Sequence, residues 1–477
     1  MMTHTKLGFL AQEIADLNPW WRSAAWANDD PDLRQARDSG MVYEADTLRD
    51  LAPGSLYVLR GPRRVGKTVT SKQAIVRLTA DAIPRLSIVR IAVDGWSAND
   101  LRTVIQNVTL PQIGDDARRW WFIDEITGVS GDWPATIKWL RDNHLPFRDA
   151  TVVITGSSAS KLTQAIGLWA GRRGSAADVD RTMLPIGFRT FVNLLLPGAP
   201  QHVSRLALAD LHSRVAHDAF DELLPWLADL SRLWDRYLLY GGFPVAVAAT
   251  RRGATIPAGF VDDIFNVIFR DVFHDSQASE TATTDLFTRV IQGMGNPANL
   301  REIGGAVGMS HQTVGRHVAH LNNAYLTWLC PQKHDRSWLS LPKSQAKIYA
   351  IDPLVARLPH LRRPARADVD PTILNEMMLG VAVRRAAAVL GQSWSGDEFL
   401  FYHRTPARKE IDFVSQLLGE AAIEGKFIED GTWKSDASTV DASNWKGLLG
   451  TRNVLDTSDP EKAWAIPSGI LAYLIDT

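Results

Sequence analysis

Eight consecutive residues, Gly61-Pro62-Arg63-Arg64-Val65-Gly66-Lys67-Thr68, constrain this chain more than any other feature. An apolar run, Leu56-Tyr57-Val58-Leu59, precedes them and a stretch of helical spacing follows, so both glycines fall in a strand-to-helix turn. Glycine lets the backbone curl until successive N–H groups face one point, and the next helix adds the positive end of its dipole. Such a turn suits a phosphate chain. Lys67 is placed to reach β- and γ-phosphates, and the Thr68 hydroxyl to ligand Mg²⁺. The competing explanation, an ordinary glycine-rich turn, accounts for neither the lysine nor the flanking elements.

From 56 to 188 short apolar runs alternate with helical patterns, which predicts a parallel sheet with crossover helices. Strands are expected over 56–60, 86–93, 120–124, 151–155 and 181–188, and helices over 66–80, 98–108, 134–143 and 158–170. The third strand ends in Asp124-Glu125, where a phosphate-binding enzyme needs a carboxylate for Mg²⁺ and a second one to polarise the attacking water. A solvated acid pair is the plain alternative. After the fourth strand, Ser157, with Ser158 second, is the candidate to bond that water and report the γ-phosphate; a helix N-cap is the other explanation. Arg172 and Arg173, between Gly171 and Gly174, are candidate arginine fingers for a neighbouring subunit, or else a solvated basic loop.

Composition removes several classes. At 477 residues the chain is long enough for about three domains, and 52 Lys plus Arg against 53 Asp plus Glu leave a net charge of −1, so nucleic-acid binding must be local. One cysteine, Cys330, excludes a disulfide framework and a cysteine-rich zinc site. No apolar run is long enough to span a membrane, and Glu13 and Asp16 interrupt the early apolar segment, so a cytoplasmic protein without a membrane partner is expected. The 17 tryptophans, paired at Trp20-Trp21 and Trp120-Trp121, are read as core anchors.

The order of phosphate loop, Asp-Glu strand, sensor strand and Gly-Arg loop resembles an AAA-type ATPase. Tyr237-Leu238-Leu239-Tyr240-Gly241-Gly242-Phe243-Pro244-Val245-Ala246-Val247 is similar to the hallmark of a group of bacterial and archaeal ATP-binding proteins that join an AAA core to a C-terminal domain of unknown function. Asn18-Pro19-Trp20-Trp21 and Leu184-Pro185-Ile186-Gly187-Phe188 resemble further segments of that group, Gly187 standing where Ser is more usual. The resemblance implies an α/β fold: an N-terminal segment (1–50), an AAA-type core (51–190), a helical lid (191–283), a winged-helix-like unit (284–341) and an endonuclease-like α/β domain (342–477). It also implies ATP and Mg²⁺ as ligands, ATP hydrolysis driving a switch on a protein or DNA client, and a homo-oligomer. An ATP-gated nuclease and a non-hydrolysing nucleotide-sensing scaffold are the alternatives.

Two later stretches carry candidate chemistry. Residues 300–308 and 309–318 suit two short helices around a turn, with Ala306, Val314, Val318 and Leu321 inward and Gln312, Thr313, Arg316, His317 and His320 outward, chemically able to meet DNA. Further on, a helix is expected over 371–390 and strands over 399–402, 410–414 and 421–427, with 361–366 as a linker. Asp412 ends one strand, and Glu424 and Lys426 share a face of the next. With Glu376 on the helix they form a candidate nuclease site in which the acids hold a divalent metal and Lys426 orients water, resembling the restriction-endonuclease core. Gly425 departs from the apolar residue usual between acid and lysine and is expected to weaken strand packing. An ordinary surface cluster is the alternative.

Overall fold

In the computed structural model, which describes residues 12–41, 43–108, 110–114, 117–273, 280–391, 398–429 and 431–477, the apolar runs become Leu56–Arg60 (β1), Ile88–Ala92 (β2), Trp120–Asp124 (β3) and Thr151–Gly156 (β4). They are buried almost throughout, as strands covered on both faces must be. With the short Asp180–Thr182 (β5) they form one parallel sheet in the order β2-β3-β4-β1-β5. Helices Lys67–Ala80 (α1), Ala98–Asn107 (α2), Trp133–Asn143 (α3) and Ala159–Leu168 (α4) make the connections. The carboxyl ends of β1, β3 and β4 therefore lie side by side, so the loop and the acid pair open onto one edge.

The strand expected over 181–188 is the exception. Met183 still donates its N–H to the Arg60 carbonyl at 2.7 Å, but Pro185 has no N–H to continue the ladder, and Phe188 opens a helix, Phe188–Leu195 (α5).

Strand β2 lies at the sheet edge, and the Asn18 segment covers it. Asn18, fully buried, accepts the Arg90 N–H at 2.6 Å and donates to the Arg90 carbonyl at 2.8 Å, as a neighbouring strand would. Trp20 and Trp21 both donate their indole N–H to the Ile88 carbonyl, at 3.0 and 2.7 Å. An edge that would otherwise present unpaired backbone is thereby closed.

The chain divides into two compact units, one ending at Leu184 and the other beginning at Pro185. In the second, Leu227–Tyr240 (α6) and Pro244–Arg251 (α7) flank the Gly241-Gly242 turn. Gly242 donates its N–H to Asp352 Oδ2 and accepts the Ile186 N–H, both at 2.7 Å; a Cβ there would stand 2.1 Å from the Ile186 carbonyl oxygen. Tyr237 donates to that carbonyl at 2.7 Å, and Arg385 bonds the Pro185 carbonyl and Asp476, both at 2.9 Å. A Cβ on Gly187 would lie 2.4 Å from the Thr477 carbonyl oxygen, so in this packing the departure from Ser leaves room for that carbonyl. These motifs are buried together inside the second unit.

Helices Leu300–Val307 (α8) and His311–Asn323 (α9) bear out the two-helix reading, but two of its faces change. Ala306 is exposed, and its expected inward place is taken by Gly304, where a Cβ would lie 2.4 Å from the Met309 carbonyl oxygen. His317 is buried, because the covered stripe of α9 runs Val314, His317, Val318 and Leu321. Next come Thr327–Cys330 (β6) and Lys347–Ala350 (β7), an antiparallel pair, and Pro353–Arg362 (α10), which absorbs the start of the expected linker. The last region packs Pro371–Val389 (α11) on a mixed sheet of order β12-β11-β10-β9-β8, from Phe401–Arg404 (β8), Glu410–Val414 (β9), Ala421–Gly425 (β10), Lys446–Thr451 (β11) and Trp464–Pro467 (β12). No helix among the described residues is long and apolar enough to cross a membrane.

Candidate nucleotide site

The loop after β1 is shaped by its glycines. Gly61 has φ 150°, and a Cβ on it would stand 2.0 Å from the Met183 carbonyl oxygen; Gly66 has φ 100° and caps α1. Arg63 is half-buried and Arg64 exposed, while Pro62 and Val65 are buried. Lys67 is buried too, and its ammonium donates to the carbonyls of Gly61 and Pro62 at 2.9 Å each, so it lies within the curl of the loop.

The structure brings the loop and the acid pair together. Thr68 donates to Asp124 Oδ2 at 3.0 Å, which joins the two oxygens expected to hold Mg²⁺. Both are hard donors, so they suit that cation. Thr155 donates to Asp124 Oδ1 at 2.6 Å and accepts the Glu125 N–H at 2.9 Å, setting both acids from one hydroxyl. Arg90 donates to Asp124 Oδ2 at 2.6 Å from the neighbouring strand. Burial pushes the Asp124 carboxyl up, but the Arg90 charge and the bonds from Thr155, Arg90 and Thr68 outweigh it and hold the group below the usual range.

Glu125 leaves the strand in a left-handed conformation, φ 57°, which turns its side chain away from the ladder. Its Oε1 accepts from Ser157 Oγ at 2.7 Å and from Thr127 Oγ1 at 2.9 Å. Ser157 thus meets Glu125, and the hydroxyl that β4 sets beside Asp124 is that of Thr155. Ser158 occupies the N-cap of α4 without a side-chain capping bond.

Both candidate finger arginines are engaged within their own unit. Arg173 makes a two-pronged pair with Asp180, at 2.7 and 2.9 Å, and bonds the Val179 carbonyl at 2.9 Å. Arg172 bonds Asp142 at 2.6 Å but keeps a third of its side chain exposed, against 11% for Arg173.

Sequence reasoning misses Arg90, Thr155 and Thr127. Arg90 leaves one trace, a lone charge inside the otherwise apolar strand Ile88-Val89-Arg90-Ile91-Ala92, which burial obliges to find a partner.

The candidate nuclease residues also meet, on the mixed sheet. Asp412 Oδ2 accepts the Gly425 N–H at 3.1 Å, and Lys426 lies 2.6 Å from Glu424 and 3.9 Å from Asp412. Gly425 is a requirement rather than the expected weakness: a Cβ there would stand 2.5 Å from the Glu376 Cα, so its absence lets α11 approach the sheet. A residue not foreseen occupies the centre. The Lys347 ammonium, almost wholly buried, sits 3.0 Å from Glu376, 2.7 Å from Glu410 and 3.2 Å from Asp412, and Tyr349 bonds Glu376 as well. Burial and the Asp412 charge push Glu376 up to about 7 and Glu424 to about 8, against the lysines that favour ionisation. Among the described residues no group of three or more His, Cys, Asp or Glu is arranged to hold a metal ion.

Residues 54–192 match the family described as AAA domain, and residues 231–360 match a domain of unknown function (DUF8612). No curated protein matches the chain. A Walker-type ATPase of Pyrococcus abyssi aligns at 12% identity and TM-score 0.36, covering 69% of this chain and 95% of that one. The ORC2 protein of Aeropyrum pernix, solved with ADPNP and ADP, aligns at 9% and 0.34, covering 76% and 95%; RuvB of Thermotoga maritima at 13% and 0.27, covering 59% and 83%. The domain match, the sheet order and the phosphate loop agree. Residues 54–192 form an AAA-type P-loop domain.

Proposed function

We propose that the chain binds Mg·ATP in the 61–68 loop and hydrolyses it, using the bond energy to change the state of a protein or DNA client. The observation that carries this reading is the chain of bonds Thr68–Asp124–Thr155–Glu125, which joins the phosphate loop to two carboxylates at one sheet edge. Loop N–H groups and the Lys67 ammonium bind the β- and γ-phosphates. Thr68 and Asp124 would hold Mg²⁺, which when bound neutralises charge on the phosphate oxygens. Glu125, held by Ser157 and Thr127, accepts the proton of the attacking water. In an oligomer Arg172, the more exposed of the pair, is the better finger, since Arg173 is committed to Asp180.

Lys67→Ala should abolish nucleotide binding, measured by equilibrium titration with a fluorescent ATP analogue. Glu125→Gln should retain binding while phosphate release falls about 100-fold or more. Unchanged turnover in both variants would remove the hydrolase reading, and tight binding without turnover in the native chain would favour the scaffold.

The nuclease reading of Glu376, Asp412, Glu424 and Lys426 is supported by their convergence, but it requires the Lys347 ammonium to give up the space between Glu376 and Asp412.

A further inference from the structure

We propose that Arg90 makes metal binding at Asp124 conditional on nucleotide: its guanidinium holds the metal carboxylate until a phosphate chain arrives to offset the added positive charge. This inference rests on the nucleotide-binding reading above and concerns a residue outside the catalytic set it names.

Three observations place Arg90 in this role. Its Nη2 lies 2.6 Å from the same carboxylate oxygen, Asp124 Oδ2, that Thr68 reaches at 3.0 Å. Arg90 and Asp124 are 7% and 8% exposed, so little water screens a charge placed beside them. The arginine is also held at its backbone, since Asn18 bonds both its N–H and its carbonyl. The guanidinium is thus aimed at Asp124 from a pinned strand.

The electrostatics follow. One guanidinium matches one carboxylate, and the pair is neutral as it stands. A bare divalent cation at Thr68 and Asp124 would add two positive charges next to Arg90 in a site of low effective dielectric, an excess that Lys67 and Glu125, one charge of each sign, leave unchanged. A triphosphate carries enough negative charge to reverse that balance. Metal and nucleotide should therefore bind with positive coupling, and Arg90 is the group that creates it by making metal binding alone unfavourable. Arg90 is a positioning residue here, acting through Asp124.

The test is a Mn²⁺ titration of the full chain, followed by the electron paramagnetic resonance signal of free Mn²⁺ and by thermal unfolding, with and without the imido analogue of ATP. Asp124→Asn serves as the reference that subtracts binding elsewhere. In the native chain, Asp124-dependent Mn²⁺ binding should appear only with the analogue. In Arg90→Gln it should appear without it, and with the analogue the half-saturating Mn²⁺ concentration should fall about tenfold or more. Arg90→Lys, which keeps the charge, should restore the nucleotide requirement. Equal or weaker Mn²⁺ binding in Arg90→Gln overturns the proposal. So does Asp124-dependent Mn²⁺ binding by the native chain without nucleotide, an arm that needs no Arg90 variant to fold. The analogue failing to bind the native chain at all is a different result, which removes the nucleotide-binding reading itself.

Discussion

Two buried clusters in this chain meet carboxylates with an internal base, and they are balanced differently. At the parallel sheet one arginine faces one carboxylate, that of Asp124, which is held below its ordinary range. On the mixed sheet Glu376, Glu410, Asp412 and Glu424 share two lysines, Lys347 and Lys426, with Arg404 reaching only Glu410, and Glu376 and Glu424 are pushed up. The first cluster is charge-matched and opens onto the phosphate loop. The second is short of positive charge, and Glu424 Oε1 is buried with no hydrogen-bond partner among the described residues. Acids converge in both clusters, and what differs is the balance of the cations among them.

Breaking the second cluster should have the largest effect. Lys347→Met removes the ammonium that serves three carboxylates and leaves them buried together, so the second unit should lose about 3–5 kcal/mol, read by urea unfolding. If Mn²⁺ then restores stability and the variant cleaves DNA, the nuclease reading gains the space it needs. If Mn²⁺ does neither, the cluster is a structural charge network.

The raised acids give a pH signature that the first cluster lacks. Glu376, at about 7, and Glu424, at about 8, keep protons in the folded chain that the unfolded chain releases near pH 4.5. Their contribution is complete below the unfolded value and is lost as pH rises through the folded ones. Between about pH 6.5 and 8.5, above the range of ordinary histidines and of Asp352 at about 6, stability should fall by about 2–3 kcal/mol. Glu424→Gln should flatten most of that slope in thermal unfolding followed by circular dichroism. A slope as steep in the variant as in the native chain would place the titrating groups elsewhere.

How much of this is legible in the sequence depends on whether the chemistry is contiguous. The 61–68 loop and Asp124-Glu125 are readable because each motif is a local run whose spacing fixes its geometry. Arg90 and Thr155 come from neighbouring strands, and sheet order and register bring them to Asp124, whereas Lys347 comes from a separate two-stranded sheet and reaches its acids only through tertiary packing. The burial of His317 is hidden for another reason: residue type assigns it outward, while the 3.6-residue stripe carries it inward. Gly425 is misread because a missing side chain shows what it concedes to strand packing and conceals what it admits.

That last position supplies the smallest and sharpest check on the second cluster. Gly425 sits on β10 directly beneath Glu376, with its absent Cβ 2.5 Å from the Glu376 Cα and 2.8 Å from the Glu376 Cβ. Both obstacles are fixed to the helix, and α11 cannot yield by rotating one side chain. Gly425→Ala should therefore lift α11 from the sheet locally, costing about 1–2 kcal/mol as overpacking does. The same shift opens Glu376 to water and draws it away from Asp412, the two influences that raise it, so the variant should also lose part of the pH 6.5–8.5 slope. A stability loss with that slope intact would mean that the helix approach at Gly425 sets packing alone, and that the proton-holding acids keep their separation without it.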